Sequence, residues 1–207
     1  MRQRQTLLAP GLVAPGLLVV LLAGCTTSLG EPESPLDPRT VLVIDHGRHS
    51  SVAIETASGS LVRYSYGDKR YYQDQDTSLA SGAAALLWPT PAVLGRAALA
   101  GEATPESLET QLVVGIEEIL VLPVEGSAAD DLMADLDALH QEGHAEHLFV
   151  PAYGLVFAPH PKDYVWWHNS STMIATWLEE MGVEVRGPGL LAPWEVSEDS
   201  WPPPSSP

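Results

Sequence analysis

The order of elements predicts an α+β fold, an antiparallel or mixed sheet packed by helices. Three observations carry this expectation. Short β-branched and alternating segments cluster early in the chain, a strongly amphipathic stretch lies near its middle, and a second helix follows directly on extended segments near its end. Strands come in runs rather than in strict strand–helix alternation, which argues against a parallel doubly wound sheet.

The first residues stand apart from that body. Arg2 and Arg4 precede an uncharged apolar run that ends on small residues, the pattern of an export signal over residues 1–24. Pro10, Gly11, Pro15 and Gly16 interrupt the run, and it falls short of the ~20 residues a spanning helix needs. Residues 26–39, "TTSLGEPESPLDPR", are rich in proline and acid and read as a flexible tether. The tail, "SEDSWPPPSSP", is expected to be disordered. A single α+β domain is expected over residues 40–196.

Within it, "TVLVID" (residues 40–45) reads as a strand, and "SSVAIET" and "SLVRYSYG" as a hairpin turning at Ala57-Ser58-Gly59. The Ala/Leu-rich residues 80–99, broken at "WPTP", suggest two short helices. Residues 118–124 follow as a strand. "SAADDLMADLDALHQEG" then has Ser127 as N-cap, and Leu132, Leu136 and Leu139 at helical spacing up to Gly143. "HLFVPAYGLVFAP" supplies two extended segments and "DYVWWH" a third, leading into "NSSTMIATWLEEMG". There Met173, Ile174, Trp177, Leu178 and Met181 form one apolar stripe, Asn169 is a favoured N-cap and Gly182 stops the helix. Trp166, Trp167 and Trp177 read as core.

Charge narrows the partners. The chain has 27 acidic and 10 basic residues, a formal net charge of −17 at pH 7. Loss of the signal, with two basic residues and no acid, makes the mature chain more negative still. Nucleic acid is excluded as an expected partner, and an anionic membrane surface is accessible only through a lipid.

Seven histidines punctuate the chain. His46 and His49 stand where one strand ends and the next begins, placed for a general base at the sheet edge or for loop hydrogen bonding. His140, His144 and His147 follow one another at i, i+4 and i+7, a spacing that would bind metal on a continuous helix. Gly143 interrupts it, so the favoured reading is dipole-stabilised histidines at a helix end, with zinc or nickel as the alternative. No cofactor and no metal centre are part of the expectation.

Two resemblances add to this reading. Leu22-Ala23-Gly24-Cys25 resembles the lipobox of bacterial lipoproteins, in which the cysteine is acylated and becomes the new N-terminus; Cys25 is also the chain's only cysteine. The resemblance implies an exported protein anchored by lipid on Cys25 to the cell envelope, at the outer or the cytoplasmic membrane. Second, "HGRHSS", "YSYGDKRYY" and "HNSSTMIATWLEEMGVEV" are similar, in order and spacing, to the landmarks of a family of bacterial conserved hypothetical proteins, a domain of unknown function sometimes labelled urease-associated.

That family in turn resembles the permuted papain-like proteins, such as the lecithin-retinol acyltransferase group. There a thiolate at a helix start attacks an acyl carbon while a histidine from the sheet acts as base. Carried onto this chain, the resemblance implies His49, or His46, as base, Asp68 as orienting acid, and Asn169 beside the nucleophile position. Ser170 occupies the family's cysteine position. Tyr66, in place of a tryptophan, joins His46, Asn169 and His168 as the ligand-facing set. A serine gains far less from a helix start than a thiol and depends on a hydrogen-bonded base. The expectation is therefore an envelope binding or scaffolding member of a papain-like family, of unknown ligand or protein partner. The alternative is a serine-dependent hydrolase or acyltransferase acting on an envelope amide or ester.

Overall fold

The computed structural model describes residues 26–30, 32, 34–47, 49–75, 88–187, 189 and 193–197. The expected export signal over residues 1–24, Cys25 and the tail beyond residue 197 lie outside them.

Among the described residues ten strands form two sheets. The larger contains β2 (Pro38–Asp45), β3 (Ser50–Glu55), β4 (Leu61–Asp68), β5 (Thr90–Leu99), β6 (Glu118–Glu125), β7 (Leu148–Val150) and β8 (Leu155–Tyr164). Its order is β6-β2-β3-β4-β5-β8-β7, and every pairing in it is antiparallel. The smaller joins β1 (Thr27–Gly30), β9 (Glu184–Arg186) and β10 (Trp194–Val196), with β1 central, parallel to β10 and antiparallel to β9. The described helices are α1 (Lys69–Tyr72), α2 (Pro105–Glu109), α3 (Gly126–Glu142) and α4 (Ser170–Glu180). This is an α+β fold with mostly antiparallel sheets packed by helices. Among the described residues no helix is long and apolar enough to cross a membrane.

Alternation of side chains gives the large sheet two chemically distinct faces. On the inner face Val41, Val43, Val52, Ile54, Tyr64 and Leu94 pack under Leu132, Met133 and Leu136 of α3 and Met173, Ile174, Trp177 and Leu178 of α4. The outer face carries two separate apolar clusters. One is built on Leu42, Ile44, Ala53, Leu61 and Leu108, the other on Tyr72, Val93, Val150, Leu155 and Phe157. Glycines make room for the second. A methyl group on Gly67 would overlap the Tyr72 ring, and one on Gly95 would lie 2.6 Å from Phe157.

The β3–β4 hairpin closes as expected: Thr56 N–H donates to Ser60 O at 2.8 Å, and Gly59 takes φ +82°. Helix α4 keeps its expected stripe. Its start is a capping box, in which Asn169 Oδ1 accepts Thr172 N–H at 3.0 Å and Thr172 Oγ1 accepts Asn169 N–H at 2.8 Å. It ends at Met181, and Gly182 turns the chain away at φ +84°.

Several expectations are corrected. Residues 90–99 are not helical but form β5, because pairing with both β4 and β8 outweighs the helix propensity of alanine and leucine. Pro91, which has no N–H to give, sits where the β5–β8 register slips. The rest of that segment, to residue 87, lies outside the described residues. Part of the expected tether is instead the central strand β1, with Thr27 and Leu29 fully buried. Helix α3 starts one residue before Ser127: Glu125 is its N-cap, and the Glu125 carboxylate turns outward to the amides of Leu36 and Asp37.

"DYVWWH" is not a third strand. Its first two residues finish β8, and Val165 and His168 close a tight turn through reciprocal backbone bonds of 3.1 and 2.9 Å. At its tip Trp166 and Trp167 are 47% and 59% exposed; of the three tryptophans read as core, only Trp177 is buried.

Replacing Gly67 with alanine is expected to displace Tyr72 and cost about 1–3 kcal/mol, read as a lower urea midpoint at unchanged slope in equilibrium unfolding.

Candidate functional site

The chain brings its histidine-bearing loop, the start of β3 and the N-terminus of α4 to one end of the sheet. Ser50 opens β3 and faces inward, where its Oγ accepts the Trp194 indole N–H at 2.9 Å. Its amide donates to Ser170 Oγ at 3.4 Å. Both serines are buried, and this contact ties the start of α4 to the sheet. Among the described residues Ser170 has no hydrogen bond to an imidazole.

Ser51 points to the outer face, where a polar strip separates the two apolar clusters. Arg63 lies at its centre, 2% exposed. Its Nε donates to Ser51 Oγ at 3.1 Å, Nη1 to the Tyr153 carbonyl at 3.2 Å, and Nη2 to His46 Nε2 at 3.0 Å. His46 Nδ1 in turn donates to the Gly115 carbonyl at 2.7 Å, which fixes a neutral ring with its Nε2 lone pair turned to Arg63 and Ser51. Beyond them Tyr72 OH and Ser65 Oγ are 3.1 Å apart.

His49 belongs to this outer group. Its ring centroid lies 5.1 Å from His46, 5.6 Å from Tyr71 and 5.7 Å from Tyr72. Neither ring nitrogen has a hydrogen-bond partner among the described residues. The structure therefore sets Ser170 against the backbone beside His49, not against its imidazole.

Asp68 is engaged elsewhere. It N-caps α1 by accepting Tyr71 N–H at 3.0 Å, and its other oxygen accepts the Thr90 hydroxyl. It orients no histidine. Tyr66 and His168 form a second group, on the inner face. Tyr66 OH donates to the carbonyls of Lys162 and Asp163, while His168 Nδ1 lies 2.9 Å from that hydroxyl and 3.1 Å from Asp163 O. His168 Nε2 is buried with no hydrogen-bond partner. Asn169 is occupied as a cap.

Burial drives the electrostatics. It pushes His49 down to about 3, helped by His46 and by the Arg63 cation. It pushes His46 down to about 4, partly opposed by the Gly115 hydrogen bond and helped by Arg63. Arg63 itself falls to about 10, chiefly by burial, and stays charged. No carboxylate contributes to any of these shifts.

In the other histidine set, the His140 and His147 rings lie 4.2 Å apart, but each of the three histidines donates to a backbone carbonyl. His140 Nε2 donates to Val156 O, His147 Nε2 to His140 O, and His144 Nδ1 to Gln141 O. His140 and His147 line an open groove of about 510 Å³ with Arg96 and Asp137. Among the described residues no group of three or more histidine, cysteine, aspartate or glutamate side chains is arranged to hold a metal ion.

Arg63, Tyr153 and Trp194 were not among the sequence candidates. The signal for Arg63 was its register, one residue out of phase with Val62 and Tyr64, which on a solvated face means nothing but on a covered face means a buried cation.

Two outcomes are expected. Truncating the cap in Asn169→Ala should cost about 1 kcal/mol in chemical unfolding. The folded-state values of His46 and His49 lie below the unfolded value near 6.5, so folding favours their neutral forms. Their contribution is fully present above pH 6.5, declines as pH falls, and levels off near 4 for His46 and 3 for His49. The slope is at most about 1.4 kcal/mol per pH unit for each, and the His46→Gln/His49→Gln chain should show a flatter stability–pH curve.

No family model, curated protein or solved structure matches this chain.

Proposed function

We propose that this is an exported envelope protein, held to a membrane by lipid on Cys25, whose histidine-bearing end binds a ligand rather than catalysing acyl transfer. The observation that carries the binding reading is the state of His49. A serine nucleophile needs a base that accepts its proton and a carboxylate that stabilises the resulting imidazolium. At His49 burial, His46 and Arg63 all oppose the imidazolium, and Asp68 is spent on a helix cap and on Thr90. A base with a pKa near 3 has almost no driving force for taking a proton from an alcohol.

Ser170 Oγ, meanwhile, serves as acceptor for a backbone amide. The resemblance to papain-like proteins supplies the kinship, and the exchange of thiol for hydroxyl supplies the loss of chemistry. The anchor rests on the sequence leading to Cys25, and the strongly acidic chain leaves the lipid as its means of holding a membrane.

The full-length protein in membranes is expected to resist a serine-directed fluorophosphonate at Ser170. Labelling that disappears in His49→Ala would instead establish the serine hydrolase. Cys25→Ala should leave the membrane fraction and lose metabolic palmitate; retention of both would refute the anchor.

A further inference from the structure

Arg63 is a buried cation with no counter-ion among the described residues. A guanidinium has five N–H donors. Three are satisfied, by a hydroxyl, a carbonyl and a neutral imidazole. Two have no acceptor among the described residues, and no carboxylate there pairs with Arg63 in a chain that is rich in carboxylates. Burying a charge without a counter-ion is costly, and the described arginines paired as salt bridges, Arg39, Arg96 and Arg186, all sit at more exposed positions.

His46 and His49, on the same outer face, are each partly exposed, and the His49 ring nitrogens have no hydrogen-bond partner among the described residues. Tyr71, Tyr72 and Tyr153 set aromatic surface beside the cluster: Tyr72 and Tyr153 lie 4.8 Å apart edge to face, and Tyr71 and Tyr72 5.2 Å.

We propose that the outer-face cluster of Arg63, His46 and His49 binds a small organic monocarboxylate at the two guanidinium N–H groups that no described residue accepts. The planar fork of a guanidinium matches the two oxygens of a carboxylate, and one negative charge neutralises the one buried cation. A phosphate dianion would leave a net negative charge buried in an already acidic protein. The tyrosine surface suits an apolar or aromatic body on the carboxylate, and His49 supplies a further hydrogen bond. The ligand class rests on the binding reading, and the two are tested by different experiments: serine labelling tests that reading, carboxylate binding this one.

The test uses the full chain in detergent, titrated with acetate and with benzoate, against acetamide, benzamide and inorganic phosphate at matched ionic strength. Two readouts are followed, thermal midpoint and the NMR resonance of the Arg63 side-chain Nε–H. Both carboxylates should raise the midpoint saturably and shift that resonance, benzoate at lower concentration than acetate, while the amides leave both unmoved and phosphate binds at least tenfold more weakly. Arg63→Gln should abolish the response. Because that variant removes three structural bonds, His49→Ala serves as the second: it leaves those bonds in place and should weaken benzoate binding several-fold. A chain that gives no saturable response to either carboxylate, an equal response to the amides or to phosphate, or undiminished benzoate binding in His49→Ala overturns the proposal.

Discussion

Ser50 and Ser51 are neighbours in sequence and face opposite sides of the sheet, and the functional end of the molecule is organised by that single alternation. The inward serine holds the Trp194 indole and, through its amide, Ser170. The outward serine holds Arg63 and faces His46. Period two is not adjustable in a strand paired on both sides, since a slip of one residue would move Val52 and Ile54 out of the core. The two faces therefore acquire separate chemistry. The start of α4 meets the inward serine, and the imidazoles of His46 and His49 gather on the outward side.

The outer face shows how a charge is kept in a sparing environment. Its two apolar clusters leave a strip between them for Ser51 and Ser65, which are register partners across β3 and β4, and for Arg63, two residues along β4 from Ser65 on the same face. Every protein partner of the guanidinium there is neutral. Elsewhere the same residue type is handled differently: Arg96 forks onto Asp137 at 2.6 and 2.9 Å, and Asp137 also accepts Tyr64 OH, which binds α3 to β4 and β5 at a half-exposed rim. One arginine holds elements together in partial contact with water, and the other is withdrawn from it.

Much of the architecture was legible where local pattern and tertiary demand agree. The stripe of α4, the Asn169 cap, the hairpin turn at Gly59 and strand β6 are each written in spacing and turn chemistry. Strand β5 was not, because alanine and leucine carry helix propensity and only their neighbours β4 and β8 make them extended. Strand β1 was hidden by the prolines and acids around it; four residues between such neighbours reveal nothing until their partners, more than 150 residues away, are in place. At the candidate site the histidines and the α4 serines were visible as residue types. Which side of the sheet each ring occupies was not, since His46 and His49 precede the regular alternation of β3, and the cover over the outer face comes from residues far along the chain, such as Gly115 and Tyr153.

Strand β1 has a mechanical meaning. It begins at Thr27 and lies between β9 and β10, bonded to both. Tension drawn through the N-terminal end of the chain would run along the strand axis, loading both ladders in shear, so that they must yield together instead of peeling bond by bond. The small sheet thus resists a pull on Thr27 through two ladders at once, and the load is shared before it reaches the larger sheet.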